Sequence, residues 1–193
     1  MFFGVDAASQ RAVTDKDQGY KRSWLAIGIG TIVLLVSYSS LLVAIVATQS
    51  DTPDAAGPVF ALGFALVPVT FVAVAFLSGR RRAPIAVLKA MGVWLLVALP
   101  FGLFNPVFGL CMGFGFGGML TLKELDNTRW QSRLIAVLAG STYAFAMLFV
   151  VPAIGLLSGG LLPFASLGLA DYYTEHRAGD AAGRVDPSSS SSE

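Results

Sequence analysis

Charge is scarce in this chain: only 13% of its 193 residues are charged, about half the roughly 25% usual for soluble domains. Apolar residues make up 55%. So few charges cannot cover that much apolar surface in water, which excludes a soluble globular domain and leaves lipid as the solvent. The single cysteine, Cys111, lies in an apolar run; an internal disulfide is excluded, and the residue reads as a small buried side chain. The single histidine, His176, follows the last apolar block, so no His-based metal cluster or His-dependent catalytic dyad can form within the blocks. No Asp or Glu stands inside a block, Glu124 and Asp171 falling only at block ends; proton-coupled transport usually draws on a carboxylate or histidine at depth. P-loop, dinucleotide-loop and CxxC patterns are missing, and the glycine-rich run from Gly113 to Gly118 has neither a strand nor an acidic residue beside it. A net charge of +1 offers no basic face to track phosphates, so nucleic acid is not expected as a partner. No metal or cofactor is expected either.

What is present is four apolar blocks, 24–48, 58–78, 84–122 and 134–170. The placement of Lys and Arg between them is uneven. The linker from Gln49 to Gly57 has none, and neither do the Asn105-Pro106 and Ser158-Gly159-Gly160 breaks inside the two long blocks. Apart from Lys89, all the basic residues fall before residue 24, in 79–83, in 123–133 or after residue 170. Basic segments stay on the cytoplasmic side because translocating them is costly. The pattern predicts a multi-pass membrane protein, placed in a plasma membrane of bacterial type, with the lipid bilayer as its first partner.

A crossing of roughly 30 Å takes about 20 helical residues. The first two blocks fit one span each, the second bent at Pro68. The third and fourth are nearly long enough for two. Asn105-Pro106 is a turn signal at the middle of the third block; in the fourth, Ser158-Gly159-Gly160 is favoured as the break and Pro152 competes with it. The expected fold is an all-α integral membrane bundle of six transmembrane helices, with spans near 24–48, 58–78, 84–104, 107–122, 134–157 and 161–173. Both termini are then cytoplasmic. Five spans, with 161–170 re-entrant, is the alternative, and Tyr172-Tyr173 read as interface anchors in both. Residues 1–23 lack the apolar core of a cleavable signal and are expected to form a cytoplasmic tail. A second, disordered tail is expected over 174–193, which ends in a run of serines.

Three constellations stand out. Gly109, Gly113 and Gly117 recur every fourth residue, and Ala136, Gly140 and Ala144 repeat that spacing in the fifth span. Bare helix faces let backbones approach closely in lipid, so the two spans are expected to pack on each other. A broken helix with free carbonyls is the competing reading of the glycines. The second constellation is a set of hydroxyls at middle depth: Ser37, Tyr38 and Ser40 in the first span and Ser141, Thr142 and Tyr143 in the fifth. They either bond between helices or line a small uncharged pocket. The third is Lys89, which folding about Asn105-Pro106 brings level with Glu124; an ion pair competes with snorkelling to the headgroups.

These features favour a non-enzymatic membrane protein that acts by helix packing with a membrane partner or with itself, as a subunit, accessory or assembly factor. The alternative is a carrier or channel for a small neutral solute that uses the midplane hydroxyls. A lipid-modifying enzyme would need acid–base groups near a headgroup. Asp171, Glu175 and His176 are the only clustered residues of that kind, and the sequence does not favour this reading.

Overall fold

A computed structural model describes the backbone of residues 4–48, 53–80, 82–122 and 129–183 and the side chains of most of them. Among the described residues there are six helices and no strand: α1 (Gly4–Thr48), α2 (Pro53–Leu77), α3 (Ala83–Phe104), α4 (Pro106–Thr121), α5 (Arg129–Val150) and α6 (Pro152–Gly183). Five carry stretches long and apolar enough to cross a membrane. The sixth, α4, has only 16 residues, a rise of about 24 Å.

The helices pair consecutively, α1 with α2, α3 with α4 and α5 with α6, while α4 touches each of the other five. Twelve of the sixteen α4 residues are buried, against five of twenty-two in α3. The shortest helix is therefore the centre of the bundle. Outward faces are apolar too: Ile32, Phe76, Leu88, Leu96, Leu103, Phe104 and Phe149 are all largely exposed, a pattern that suits lipid and not water.

Local chemistry explains the boundaries. Asn105 ends α3 in an extended conformation and opens α4, where its side chain accepts from the Phe108 N–H at 3.1 Å. Pro106 follows at the first helical position, where a missing N–H costs nothing. The end of α2 is a Schellman closure: Arg80 N–H donates to Ala75 O, Gly79 N–H donates to Phe76 O, and Gly79 takes the left-handed φ of 72°. Pro68 lies within an unbroken α2.

The fourth block divides at Val151-Pro152, not at the expected Ser158-Gly159-Gly160. Pro152 opens α6 as its first residue, the position where proline is best tolerated. Gly159 and Gly160 lie inside α6, where a Cβ would collide with the Tyr38 ring of α1. Their role is close approach, which a sequence reads with the same letters as a turn. The two expected tails also differ. Helix α1 begins at Gly4 and α6 continues to Gly183. Ala, Gln, Lys and Arg supply nine of the twenty residues from Gly4 to Ser23 and no proline interrupts them, so a helix nucleated in the apolar span propagates outward.

Candidate functional site

The glycines of α4 are buried, but the expected partner is not the one they meet. A Cβ at Gly113 would stand 2.9 Å from Ala98 Cβ and 3.0 Å from the Trp94 ring, and one at Gly109 would stand 2.8 Å from Ala98 O. Gly117 lies under the Phe71 ring of α2. The Gly109–Gly113–Gly117 face therefore packs on α3 and α2 instead of α5. Its counterpart is the buried stripe of α3, Ala83, Ala86, Ala90, Trp94 and Ala98. Helix α5 meets α4 at another glycine, Gly115, through Val137. Of the α5 trio, Ala144 is fully buried, whereas Gly140 faces α6, where a Cβ would stand 3.4 Å from Ser166 and 3.6 Å from Leu162.

The midplane hydroxyls do not converge on one cavity. Ser37 is buried and donates across to Gly63 O of α2 at 2.7 Å, while Ser40 donates to Val36 O of its own helix at 2.8 Å. Thr142 and Tyr143 are exposed on the outside of α5. Tyr38 and Ser141 do point inward, both almost fully buried, as is Cys111 of α4. The Tyr38 hydroxyl is buried without a hydrogen-bond partner, as is the Trp94 indole N–H.

The structure adds a pair that the sequence reading did not contain. Arg133 of α5 and Asp171 of α6 form a bidentate salt bridge inside the bundle: Nε donates to Oδ1 at 2.8 Å and Nη2 to Oδ2 at 2.7 Å. Their side chains are 4% and 8% exposed. The planar guanidinium fork matches the carboxylate and satisfies both oxygens. Each residue stands nineteen positions from Pro152, so a hairpin folded at Pro152 brings them level. With the break at residues 158–160 that register is lost, and both residues read as charges bordering a span.

At the same end of the bundle, Arg80 Nη1 donates to Leu122 O at 2.7 Å and closes the C-terminus of α4. Ser78, also buried there, reaches Thr121 O at 3.5 Å. Lys89 is exposed on α3; its expected partner Glu124 lies outside the described residues, as do the side chains of Glu175 and His176. Asp171, the remaining member of that acidic cluster, is engaged by Arg133. Among the described residues no group of three His, Cys, Asp or Glu could hold a metal ion.

Two large grooves open on the sides of the bundle. One, of about 920 Å³, runs along the outside of α5 and α6 at the end carrying the Arg133–Asp171 pair, over Ala136, Ala139, Gly140, Ala165, Ser166 and Ala170. The other, of about 870 Å³, lies between α1 and α6 in the opposite half, over Leu42, Val46, Pro106, Val107, Ala153 and Leu157. These features define a class: an all-helical protein, among its described residues, with five helices long and apolar enough to cross a membrane and with apolar grooves on its sides. Compared with protein-family models, with curated proteins and with solved structures, the chain matches none.

Proposed function

We propose that the chain is a non-catalytic multi-pass protein of the plasma membrane that works by lateral association, with a membrane-protein partner or with a second copy of itself. All six helices cross in this reading, and both termini lie on the cytoplasmic side with the basic linkers. Burial of α4 supports its crossing despite its length, since a central helix meets protein and not lipid at its ends.

The observation that carries the functional reading is the α5/α6 groove. Its floor is formed by small side chains, Ala136, Ala139, Gly140, Ala165, Ser166 and Ala170, and small residues are what allow a neighbouring helix to approach closely in lipid. The Arg133–Asp171 clamp holds the two walls in register, so the groove is preformed and association costs little ordering. Ser37 bonds across to α2, Ser40 bonds its own helix, and Thr142 and Tyr143 are exposed, a dispersal that gives the solute-carrier reading less support.

The test is the mass of the assembly extracted with its native lipids in polymer-bounded discs. The wild type should be recovered as a dimer or with a stoichiometric membrane partner. Ala139→Phe and Ala165→Phe fill the groove at exposed positions and should release a monomer. A wild type that is monomeric, or variants that associate unchanged, would remove the proposal.

A further inference from the structure

We propose that α3 carries a site for an anionic phospholipid, whose phosphate lies between Arg82 and Lys89 and one of whose acyl chains lies over Gly92. The inference rests on the membrane-embedded reading but concerns a different face from the association groove of α5 and α6. Lys89 is the only Lys or Arg inside an apolar block. It stands six residues into the Ala83–Phe104 span, about 9 Å from its start, and is exposed on the outside of the bundle. Arg82, the N-cap of α3, is exposed as well. Seven residues separate the two, close to two whole turns, so both lie on one face about 10 Å apart along the axis. Side chains lean toward the N-terminus of their helix, which turns the Lys89 ammonium toward Arg82. Among the described residues neither side chain has a hydrogen bond or an ion pair. The helices that α3 packs against are α2 and α4, and apart from Asp54 at the far end of α2 none of the three contains an Asp or Glu.

Charge and shape select the ligand class. An ammonium facing hydrocarbon is costly, and an anion at headgroup level relieves it. A phosphate between the two cations accepts charge-assisted bonds from both. A zwitterionic lipid brings its own cation beside Arg82, a like charge that offsets part of the gain. A headgroup without a cation does not. Below Lys89 on the same face, Gly92 is exposed, and a Cβ there would meet nothing within 4 Å. Ile85, four residues before Lys89, and Leu96, seven after it, are exposed along that face. The face therefore carries a notch of bare backbone one turn beneath a cation. An acyl chain lying in that notch puts its headgroup at Lys89, whereas a free phosphate has no chain to fill it.

The experiment measures, by native mass spectrometry, the first lipid retained by the purified full-length chain in mild detergent. The probes are phosphatidylglycerol and phosphatidylcholine with the same acyl chains, offered in equal amounts. The wild type should prefer phosphatidylglycerol. Lys89→Met should lower that preference about fivefold, equivalent to the roughly 1 kcal/mol contributed by one basic residue at an anionic membrane surface, and Lys89→Arg should retain it. Arg22→Gln removes an equal charge at an exposed position of α1, a helix that α3 does not touch, and should leave the preference unchanged. Gly92→Leu fills the notch and should weaken both lipids while keeping their ratio. Equal retention of the two lipids by the wild type, a preference that survives Lys89→Met, or one that falls as far in Arg22→Gln overturns the proposal. Displacement of the lipid by inorganic phosphate, or unaltered binding in Gly92→Leu, does the same. Release of the protein from native membranes by alkaline carbonate would instead overturn the membrane reading, so the two failures are distinguishable.

Discussion

Arg133→Met leaves the Asp171 carboxylate inside the α5/α6 interface without its guanidinium, and Asp171→Leu leaves the converse. Both side chains are more than nine-tenths buried, and removing one partner of such a pair costs about 3–5 kcal/mol in soluble proteins. Arg133 has a further interaction besides Asp171 and lies near the end of its helix, from where it can extend toward the headgroups, so the lower figure, about 3 kcal/mol, is expected for Asp171→Leu. Arg133→Met should be at least as damaging, because the short Asp171 side chain cannot snorkel. Replacing both removes the stranded charge and fills the space with apolar atoms, a change that is often neutral or stabilising by about 1–4 kcal/mol. Each single variant should therefore melt roughly 6–12 °C below the wild type, at about 2–4 °C per kcal/mol for a chain of this length. The double variant should melt near the wild type. Thermal unfolding in mild detergent gives all four values under one condition. Additive single effects would refute the reasoning, since they would mean that the two residues do not share one buried interaction.

Gly113→Leu should lower stability by about 1–3 kcal/mol, the scale of overpacking, because its Cβ alone would stand 2.9 Å from Ala98. Gly92→Ala, with nothing within 4 Å of its Cβ, should stabilise by up to about 1 kcal/mol through helix propensity; unfolding midpoints in detergent check both. Ser37→Ala removes one interhelical bond to Gly63 O and should cost about 0.6 kcal/mol, the average for such bonds in a membrane, a loss readable in the same melts.

Much of the fold was legible because membrane helices advertise their length. Asn105-Pro106 was readable as a turn since both residues have strong local meaning: a side-chain cap and a missing N–H. The Val151-Pro152 break competed with a glycine pair whose purpose is tertiary, a seat for the Tyr38 ring, and no local signal separates the two uses. That single choice hid the Arg133–Asp171 clamp, which becomes visible once the hairpin is folded at Pro152. The glycine face of α4 is buried against α3 and α2. The sequence pointed to α5 instead, because Ala136, Gly140 and Ala144 repeat the spacing while the alanine stripe of α3 is interrupted by Trp94. A large ring fits there only because Gly113 has no side chain, a complementarity that spacing alone does not reveal.

Topology tests the central claim most directly. In a Cys111→Ala background, single cysteines placed at Ser50 and at Ser188 are exposed on intact cells to a membrane-impermeant thiol reagent, then again after the membrane is opened. Six crossings with the basic linkers inside predict that the cysteine at Ser50 reacts on intact cells and that the one at Ser188 reacts only after opening. Equal labelling of both on intact cells would contradict the account, placing the C-terminal segment outside and reducing the bundle to five crossings.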